Sequence, residues 1–196
     1  VNPLMKAQYG IDSMPETAQN VADAFGVSRA DQDAFALRSQ RRAGAAQTSG
    51  FFDGEITPVE MRDGRGAATS VTRDEHPRPD TTPEQLAKLK PIIRADGSVT
   101  AGNASGVNDG AAALVIASAR AMERHGLKPL ARILGMQSVG VPPRIMGIGP
   151  APATQRLLER LGLAVSDIDV MELNEAFASQ GLASLRQLGI ADDADF

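Results

Sequence analysis

The sequence predicts an α/β fold in which short strands alternate with helices. Three apolar runs beyond residue 101 alternate with three helical stretches, each of which ends at a glycine. This alternation is typical of layered α/β proteins. The chain has 196 residues, of which 42% are hydrophobic and 22% are charged. That is enough apolar material for one or two domains with real cores.

Two helices are predicted near the start of the chain. The first covers residues 16–25, where apolar side chains recur at helical spacing. Ser28 and Asp31 have the spacing of a capping box, so a second helix is expected to begin there and to run to about Thr48.

The middle of the chain is predicted to be mostly irregular. An exposed strand is expected within residues 55–61, followed by a long irregular loop over 63–82. The sequence Thr-Pro-Glu at 82–84 indicates a helix start, because proline is tolerated where the first amides have no partner. That helix is expected to end near Lys88.

The last part of the chain carries the strand–helix alternation. A glycine-punctuated loop at 101–110 comes first. The predicted strands cover 111–117, 132–139 and 168–173, and the predicted helices cover 119–125, 153–161 and 177–188.

Composition excludes several classes of function. The chain has no cysteine, which excludes disulfides, thiolate metal sites and thiol catalysis within it, and it has only two histidines, so we expect no metal site. A net charge of −4 argues against a nucleic-acid partner. No apolar run approaches the roughly 20 residues of a membrane span, so we expect a cytoplasmic protein without membrane contact. Both ends of the chain are expected to be cuts within a larger protein.

The glycine-rich loop at 101–110 does not match a nucleotide-binding motif. It has no lysine after its glycines, and its G-x-x-x-G-x-x-x-G spacing is wrong for a dinucleotide fingerprint. A nucleotide-dependent oxidoreductase is therefore disfavoured. Small side chains would let a ligand approach the backbone closely. The alternative is a tight turn needed only for packing.

Four segments in order resemble thiolases, enzymes that make or break carbon–carbon bonds in 3-oxoacyl-CoA. They are YGIDSMPETA at 9–18, TAGNASGVNDG at 100–110, MGIGP at 146–150 and NEAFA at 174–178. The resemblance implies a layered αβαβα thiolase fold, present only in part. Residues 73–79 and 86–91 are more specifically similar to degradative 3-oxoadipyl-CoA thiolases.

The resemblance also implies a division of the chain. Residues 1–107 would form a partial, CoA-covering loop domain, 108–127 the last segment of the N-terminal thiolase domain, and 128–196 the first part of the C-terminal domain. The full-length protein would be a homodimer or homotetramer.

The implied activity is acyl transfer through a cysteine acyl-enzyme. Coenzyme A would be a co-substrate, acyl-CoA the other partner, and no cofactor would be bound. Because the chain contains no cysteine, we expect it to be inactive alone. The alternative function is a non-catalytic CoA-binding or scaffold fragment.

Asn174 is the candidate catalytic residue. By resemblance, it would hold a water that serves, with a histidine, as an oxyanion hole. The alternative is a helix N-cap, for which asparagine is well suited. Glu175 is expected to support the loop by hydrogen bonds to nearby backbone.

The remaining candidates would bind CoA or the acyl chain by resemblance. They are Met14, Arg78, Ala101, Ala104, Ser105, Met146, Ala176 and Phe177. Ser105 would bond the pantetheine arm, and Arg78, exposed between two prolines, would lie beside the adenine. The alternatives are core positions for Met14, Met146 and Phe177, and a solvated surface charge for Arg78.

Overall fold

The computed structural model describes residues 2–62 and 64–194. The described α-helices are α1 (Pro3–Tyr9), α2 (Met14–Ala24), α3 (Arg29–Thr48), α4 (Pro83–Ala87), α5 (Ala119–His125), α6 (Pro150–Leu161) and α7 (Ala178–Gln187). Two 3₁₀ helices lie at Pro143–Ile148 and Val165–Asp167, and the strands are β1 (Val59–Arg62) and β2 (Ala68–Val71). Every predicted helix is therefore present within a few residues of its expected bounds.

Side-chain caps determine where these helices begin. The Ser28 hydroxyl accepts from the Asp31 amide at 3.1 Å and Asp31 accepts from the Ser28 amide at 3.3 Å, which confirms the predicted capping box. The first predicted helix begins earlier than expected, at Met14, because Glu16 accepts from the Ser13 amide at 2.6 Å. That bond satisfies one amide at the helix start.

The two strands form an antiparallel hairpin in which Val59 pairs with Val71 and Arg62 with Ala68. β1 lies largely within the strand predicted at 55–61. β2, by contrast, lies in the segment predicted to be irregular. Its β-branched residues favour an extended backbone, and the prolines that suggested a loop all follow it.

The three strands predicted at 111–117, 132–139 and 168–173 are absent from the structure, which has no regular structure there. An apolar run supplies only the propensity for a strand, because a strand also needs a neighbour that takes up its backbone groups. None of these segments has such a neighbour among the described residues. Their apolar side chains are correspondingly exposed, with Val115 at 92% and Met136 at 77% relative accessibility.

The core lies where α2, α3, α6, α7 and the 3₁₀ helix at 143–148 meet. Its buried members are Val21, Val27, Phe35, Ile148, Ala151, Ala178, Leu182 and Ala183. The small residues of α7 let the other helices approach closely. A methyl group at Gly181 would lie 3.2 Å from the Phe35 ring, so α3 packs directly on the α7 backbone.

Arg186 of α7 joins the start of α3 to the segment after α7. Its guanidinium lies 2.9 Å from the Asp31 carboxylate, and its Nε donates to Asp192 at 2.9 Å. The hydrogen bond from Arg186 holds the pKa of Asp31 below the usual 3.8. A carboxyl whose pKa is lower in the folded state contributes stability above its unfolded pKa, and that contribution is lost as the pH falls through the folded value.

Among the described residues, no helix is both long and apolar enough to cross a bilayer. Those residues also contain no group of three or more histidine, acidic or cysteine side chains placed to hold a metal ion.

Replacing Arg186 with methionine should lower the free energy of unfolding at neutral pH by about 1 kcal/mol, because both ion pairs are partly exposed. The difference from the unaltered chain should shrink below pH 3.8, where Asp31 becomes protonated in the unfolded state and then in the folded state. Urea unfolding at several pH values measures this. Arg156→Met on the exposed side of α6 is the control, and a pH-independent difference would contradict the assignment.

The exposed apolar segments should make the chain self-associate and bind a hydrophobic dye such as anilinonaphthalene sulfonate. Replacing both Leu114 and Ile116, which are 88% and 79% exposed, with lysine should reduce both effects without lowering stability. Light scattering after gel filtration and dye fluorescence check this. A monodisperse monomer that binds no dye would show the expectation to be wrong.

Candidate functional site

Two of the four segments singled out in the sequence lie side by side. The Ser105 amide donates to the Ala176 carbonyl at 2.9 Å, and the Ala178 amide donates to the Asn103 carbonyl at 2.9 Å. Ala104 and Phe177 thus form an antiparallel bridge. The fold therefore brings four candidate residues, Ala104, Ser105, Ala176 and Phe177, into one place at the start of α7.

The glycine-rich loop is held at this place by Asn103, which is 3% exposed. Its Oδ1 accepts from the Thr100 amide at 2.8 Å. Its Nδ2 donates to Asp33 of α3 at 2.9 Å and to the Ser98 carbonyl at 3.0 Å. One buried amide thereby satisfies three polar groups, two of them on the backbone just before the loop.

Two buried glutamines anchor the segment that precedes the loop. Gln19 of α2 accepts from the amides of Ser98 and Val99 at 2.8 and 3.2 Å. Gln32 of α3 donates to the Ser98 hydroxyl at 2.9 Å. Gln19, Gln32 and Asn103 were not predicted from the sequence as functional residues. The available signal was a glutamine on the apolar face of a predicted helix, where a polar side chain needs a partner.

Side chains of the protein, rather than open space for a ligand, lie against two glycines of the loop. A methyl group at Gly102 would lie 2.5 Å from the Leu89 side chain, and one at Gly106 would lie 2.4 Å from the His76 ring. Glycine at these two positions therefore allows close packing within the protein. Nothing lies within 4 Å of such a group at Gly110.

A cleft of about 550 Å³ lies beside the loop and is lined by the candidates Arg78, Ala101 and Ala104, among others. Arg78 is exposed, as expected, but its guanidinium folds back onto its own loop. Nη1 donates to the carbonyls of Glu75 and His76 at 2.6 and 2.8 Å. Arg78 therefore stabilises the wall of the cleft, in addition to presenting a charge there.

Asn174 is not a helix cap. The N-cap position of α7 belongs to Phe177, three residues later, so the alternative interpretation of Asn174 is wrong. Asn174 is exposed, and its carbonyl accepts from Gln180 at 3.3 Å. It lines a second cleft, of about 870 Å³, between α3 and the segment 171–175. Its side chain is thus free of a structural role at the helix start.

Glu175 is held differently from the sequence-based expectation. Its carboxylate accepts a short hydrogen bond from the hydroxyl of Ser39 on α3, rather than bonds from nearby backbone amides. No local pattern predicts this contact, because the two residues are 136 positions apart.

The candidates Met14 and Met146 lie near the start of α7. They are 52% and 48% exposed, which contradicts a core position for either. Gly147 packs so closely on Gln180 that an added methyl group would lie 2.8 Å from its side chain. The Ser179 hydroxyl donates to the Ala18 carbonyl at 2.9 Å, one helical turn from Met14. Both methionines therefore flank the start of α7.

An ion pair near these methionines was also missed in the sequence. Arg144 donates through Nε to Asp12 at 2.7 Å, and Asn20 donates to the same carboxylate at 2.7 Å. The hydrogen bond from Arg144 lowers the pKa of Asp12. This cluster joins the 3₁₀ helix at 143–148, which carries Met146, to α2, which begins at Met14.

Asn103→Ala should destabilise the chain by about 2 kcal/mol, because it leaves the buried Thr100 amide without a partner. The Ser105 amide should also lose protection from hydrogen exchange, since its bond to Ala176 depends on the loop position. Chemical denaturation and exchange measured by NMR test both effects. Asn108→Ala, on an exposed residue, is the control. Equal stability of the two variants would refute the anchoring role.

Comparison with known proteins accounts for nearly the whole chain. The N-terminal domain of thiolases matches residues 3–120 and the C-terminal domain of thiolases matches residues 127–194. The beta-ketoadipyl-CoA thiolase of Pseudomonas aeruginosa is 70% identical over 100% of this chain and 48% of its own length. The 3-oxoadipyl-CoA/3-oxo-5,6-dehydrosuberyl-CoA thiolase of Escherichia coli is 59% identical over 99% of the chain and 48% of its own length.

Solved structures give the same result. The acetyl-CoA acetyltransferase of Bacillus anthracis superposes with a TM-score of 0.86 at 49% identity, covering 91% of this chain and 45% of that one. Human mitochondrial 3-ketoacyl-CoA thiolase in complex with CoA superposes with a TM-score of 0.83 at 47% identity, covering 91% and 44%. The chain spans about half the length of the relatives it matches, and the partial thiolase fold expected from the sequence is confirmed. The chain belongs to the thiolase family.

Proposed function

We propose that this chain is part of a thiolase that cleaves 3-oxoadipyl-CoA with CoA to give succinyl-CoA and acetyl-CoA. The observation that carries the proposal is the pairing of residues 103–105 with 176–178, which brings two distant segments together two residues along the chain from Asn174. The names of the relatives that are 70% and 59% identical support this substrate.

The cleft beside the glycine-rich loop is the proposed CoA site. Ala101, Ala104 and Ser105 present small side chains to the pantetheine arm, and the exposed Ser105 hydroxyl is available as a hydrogen-bond partner. Arg78 lies beside the adenine, where its guanidinium adds positive charge near the phosphates. Met14, Met146, Ala176 and Phe177 border the acyl group, and thioethers adapt well to a flexible chain.

Asn174 supplies the electrostatic part of the chemistry. Thiolysis breaks the bond between the α and β carbons of the substrate, which leaves negative charge on the departing acetyl-CoA unit. A water held by Asn174 donates a hydrogen bond where that charge develops. A cysteine thiolate attacks the 3-oxo carbon and retains the acyl group, and the departing acetyl-CoA carbanion takes a proton from a general acid. The CoA thiol then gives up its proton, takes the acyl group and releases the cysteine thiolate. The cysteine lies outside these residues, so the chain alone is inactive.

We further propose that residues 1–107 act as the CoA-covering loop domain, 108–127 as the last segment of the N-terminal domain, and 128–196 as the start of the C-terminal domain. The whole protein is proposed to be a cytoplasmic homodimer or homotetramer with no bound cofactor.

A non-catalytic CoA-binding or scaffold role is the second candidate. The observation that favours it is the absence of cysteine from the chain, since thiolase chemistry needs a thiolate nucleophile. The two candidates share the CoA site and differ only in turnover.

The CoA site is tested by Ala101→Asp, which adds a carboxylate to the proposed cleft. Repulsion of the CoA phosphates should weaken CoA binding by the chain about tenfold at low salt, and added salt should reduce the effect. Ala111→Asp, at an exposed alanine outside the cleft, is the matched control. Titration calorimetry with CoA measures both variants. Equal weakening by the two substitutions would reject this location.

Turnover separates the two functions. A polypeptide that joins this chain to the missing thiolase segments should cleave 3-oxoadipyl-CoA faster than acetoacetyl-CoA, measured as loss of the 3-oxoacyl-CoA absorbance. CoA binding without cleavage of either substrate would favour the scaffold. Faster cleavage of acetoacetyl-CoA would overturn the proposed substrate.

A further inference from the structure

We propose that Ser39 is a positioning residue for Asn174, acting through the carboxylate of Glu175. The inference rests on the thiolase function proposed above. Ser39 lies in the second half of α3, and its hydroxyl donates to Glu175 Oε2. Ser39 and Glu175 both line the larger cleft, so their hydrogen bond connects α3 to the residue that follows Asn174.

The other contacts of this loop are made by backbone carbonyls. The Asn174 carbonyl accepts from Gln180 at 3.3 Å, a long bond, and the Ala176 carbonyl accepts from the Ser105 amide at 2.9 Å. Carbonyl contacts on either side of Glu175 leave the intervening peptide units able to rotate. The bond from Ser39 attaches the Glu175 side chain to α3 and so restricts that rotation. It therefore sets the direction of the neighbouring Asn174 side chain.

Charge gives a second reason for holding this carboxylate. Asn174 is proposed to stabilise negative charge, and an unrestrained carboxylate on the next residue would oppose it. The Ser39 hydroxyl fixes the carboxylate against α3. Arg38 and Arg42 of the same helix also line the cleft on that side. Without the Ser39 hydroxyl, both the segment that carries Asn174 and the negatively charged Glu175 carboxylate would be free to move.

Ser39 is half-buried. Two other residues of α3, Asp33 and Gln40, also bind segments of the proposed site. Asp33 accepts from Asn103 at 2.9 Å, and Gln40 accepts from the Arg78 amide at 2.6 Å. Ser39 extends this pattern to the segment that carries Asn174. Two sides of α3 are therefore used: Asp33 and Gln40 hold the segments of the proposed CoA site, and Ser39 holds the segment that carries Asn174.

The positioning role is tested first in the chain itself, where no catalysis is needed. Ser39→Ala should move the Asn174 side-chain amide signals in the NMR spectrum, while the Ser105 amide in the proposed CoA site keeps its hydrogen-exchange protection within about twofold. Ser49→Ala is the matched control, because Ser49 ends the same helix with one exposed hydrogen bond of its own. Unchanged Asn174 signals, or equal changes in both variants, would overturn the proposal.

Kinetics of the thiolase-length polypeptide provide the second test. Ser39→Ala should lower kcat roughly tenfold while KM for CoA stays within about twofold, because the loop is misplaced and the CoA site is not. Ser39→Thr, which retains the hydroxyl, should restore most of kcat. A parallel loss of thermal stability without a selective loss of kcat would indicate a merely structural residue. If the unaltered polypeptide shows no turnover, the proposed function fails, and the NMR result still decides the positioning role.

Discussion

The contact between residues 103–105 and 176–178 depends on buried amide side chains that take the place of a sheet. Only one bridge joins the two segments, and one bridge is too little to hold them in register by itself. Gln19 of α2 and Gln32 of α3 hold the segment just before the loop by their bonds to Ser98. Asn103 of the loop itself binds Asp33 of α3. Because Asn103 is buried, breaking its bond to the Thr100 amide would leave that amide without a partner.

The arrangement explains why α3 is long, polar and nevertheless central. Its apolar contribution to the core comes mainly from Phe35, which packs on the α7 backbone at Gly181. Much of its remaining contact surface consists of polar side chains aimed at loops. A helix of this kind serves as a rigid support for segments that have little regular structure of their own.

Local signals predicted the helices well. The capping box at Ser28 and Asp31 involves residues three positions apart, so it can be recognised without knowledge of the fold. The strands at 111–117, 132–139 and 168–173 were predicted from composition, and composition cannot supply the neighbouring strand.

The candidate site was predictable only in part, and for a related reason. The segments at 101–105 and 174–178 were identifiable from their residues, because they resemble known thiolase segments. Their contacts were not, since Ser39 and Glu175 are 136 positions apart and Asn103 and Asp33 are 70 apart. Serine and asparagine side chains can bond to many kinds of group, so residue type alone does not identify a distant partner.

The sequence separation of these contacts imposes an order on folding. The Ser179 hydroxyl donates to the Ala18 carbonyl, and the two residues are 161 positions apart. The buried face of α2 is therefore covered only after α7 has been synthesised. During synthesis, the buried glutamines of α2 and α3 would be solvated until the loop at 98–103 emerges, and their apolar neighbours until α7 does. Formation of the site is therefore a late event, and the early helices are the part of the molecule that most needs protection from aggregation.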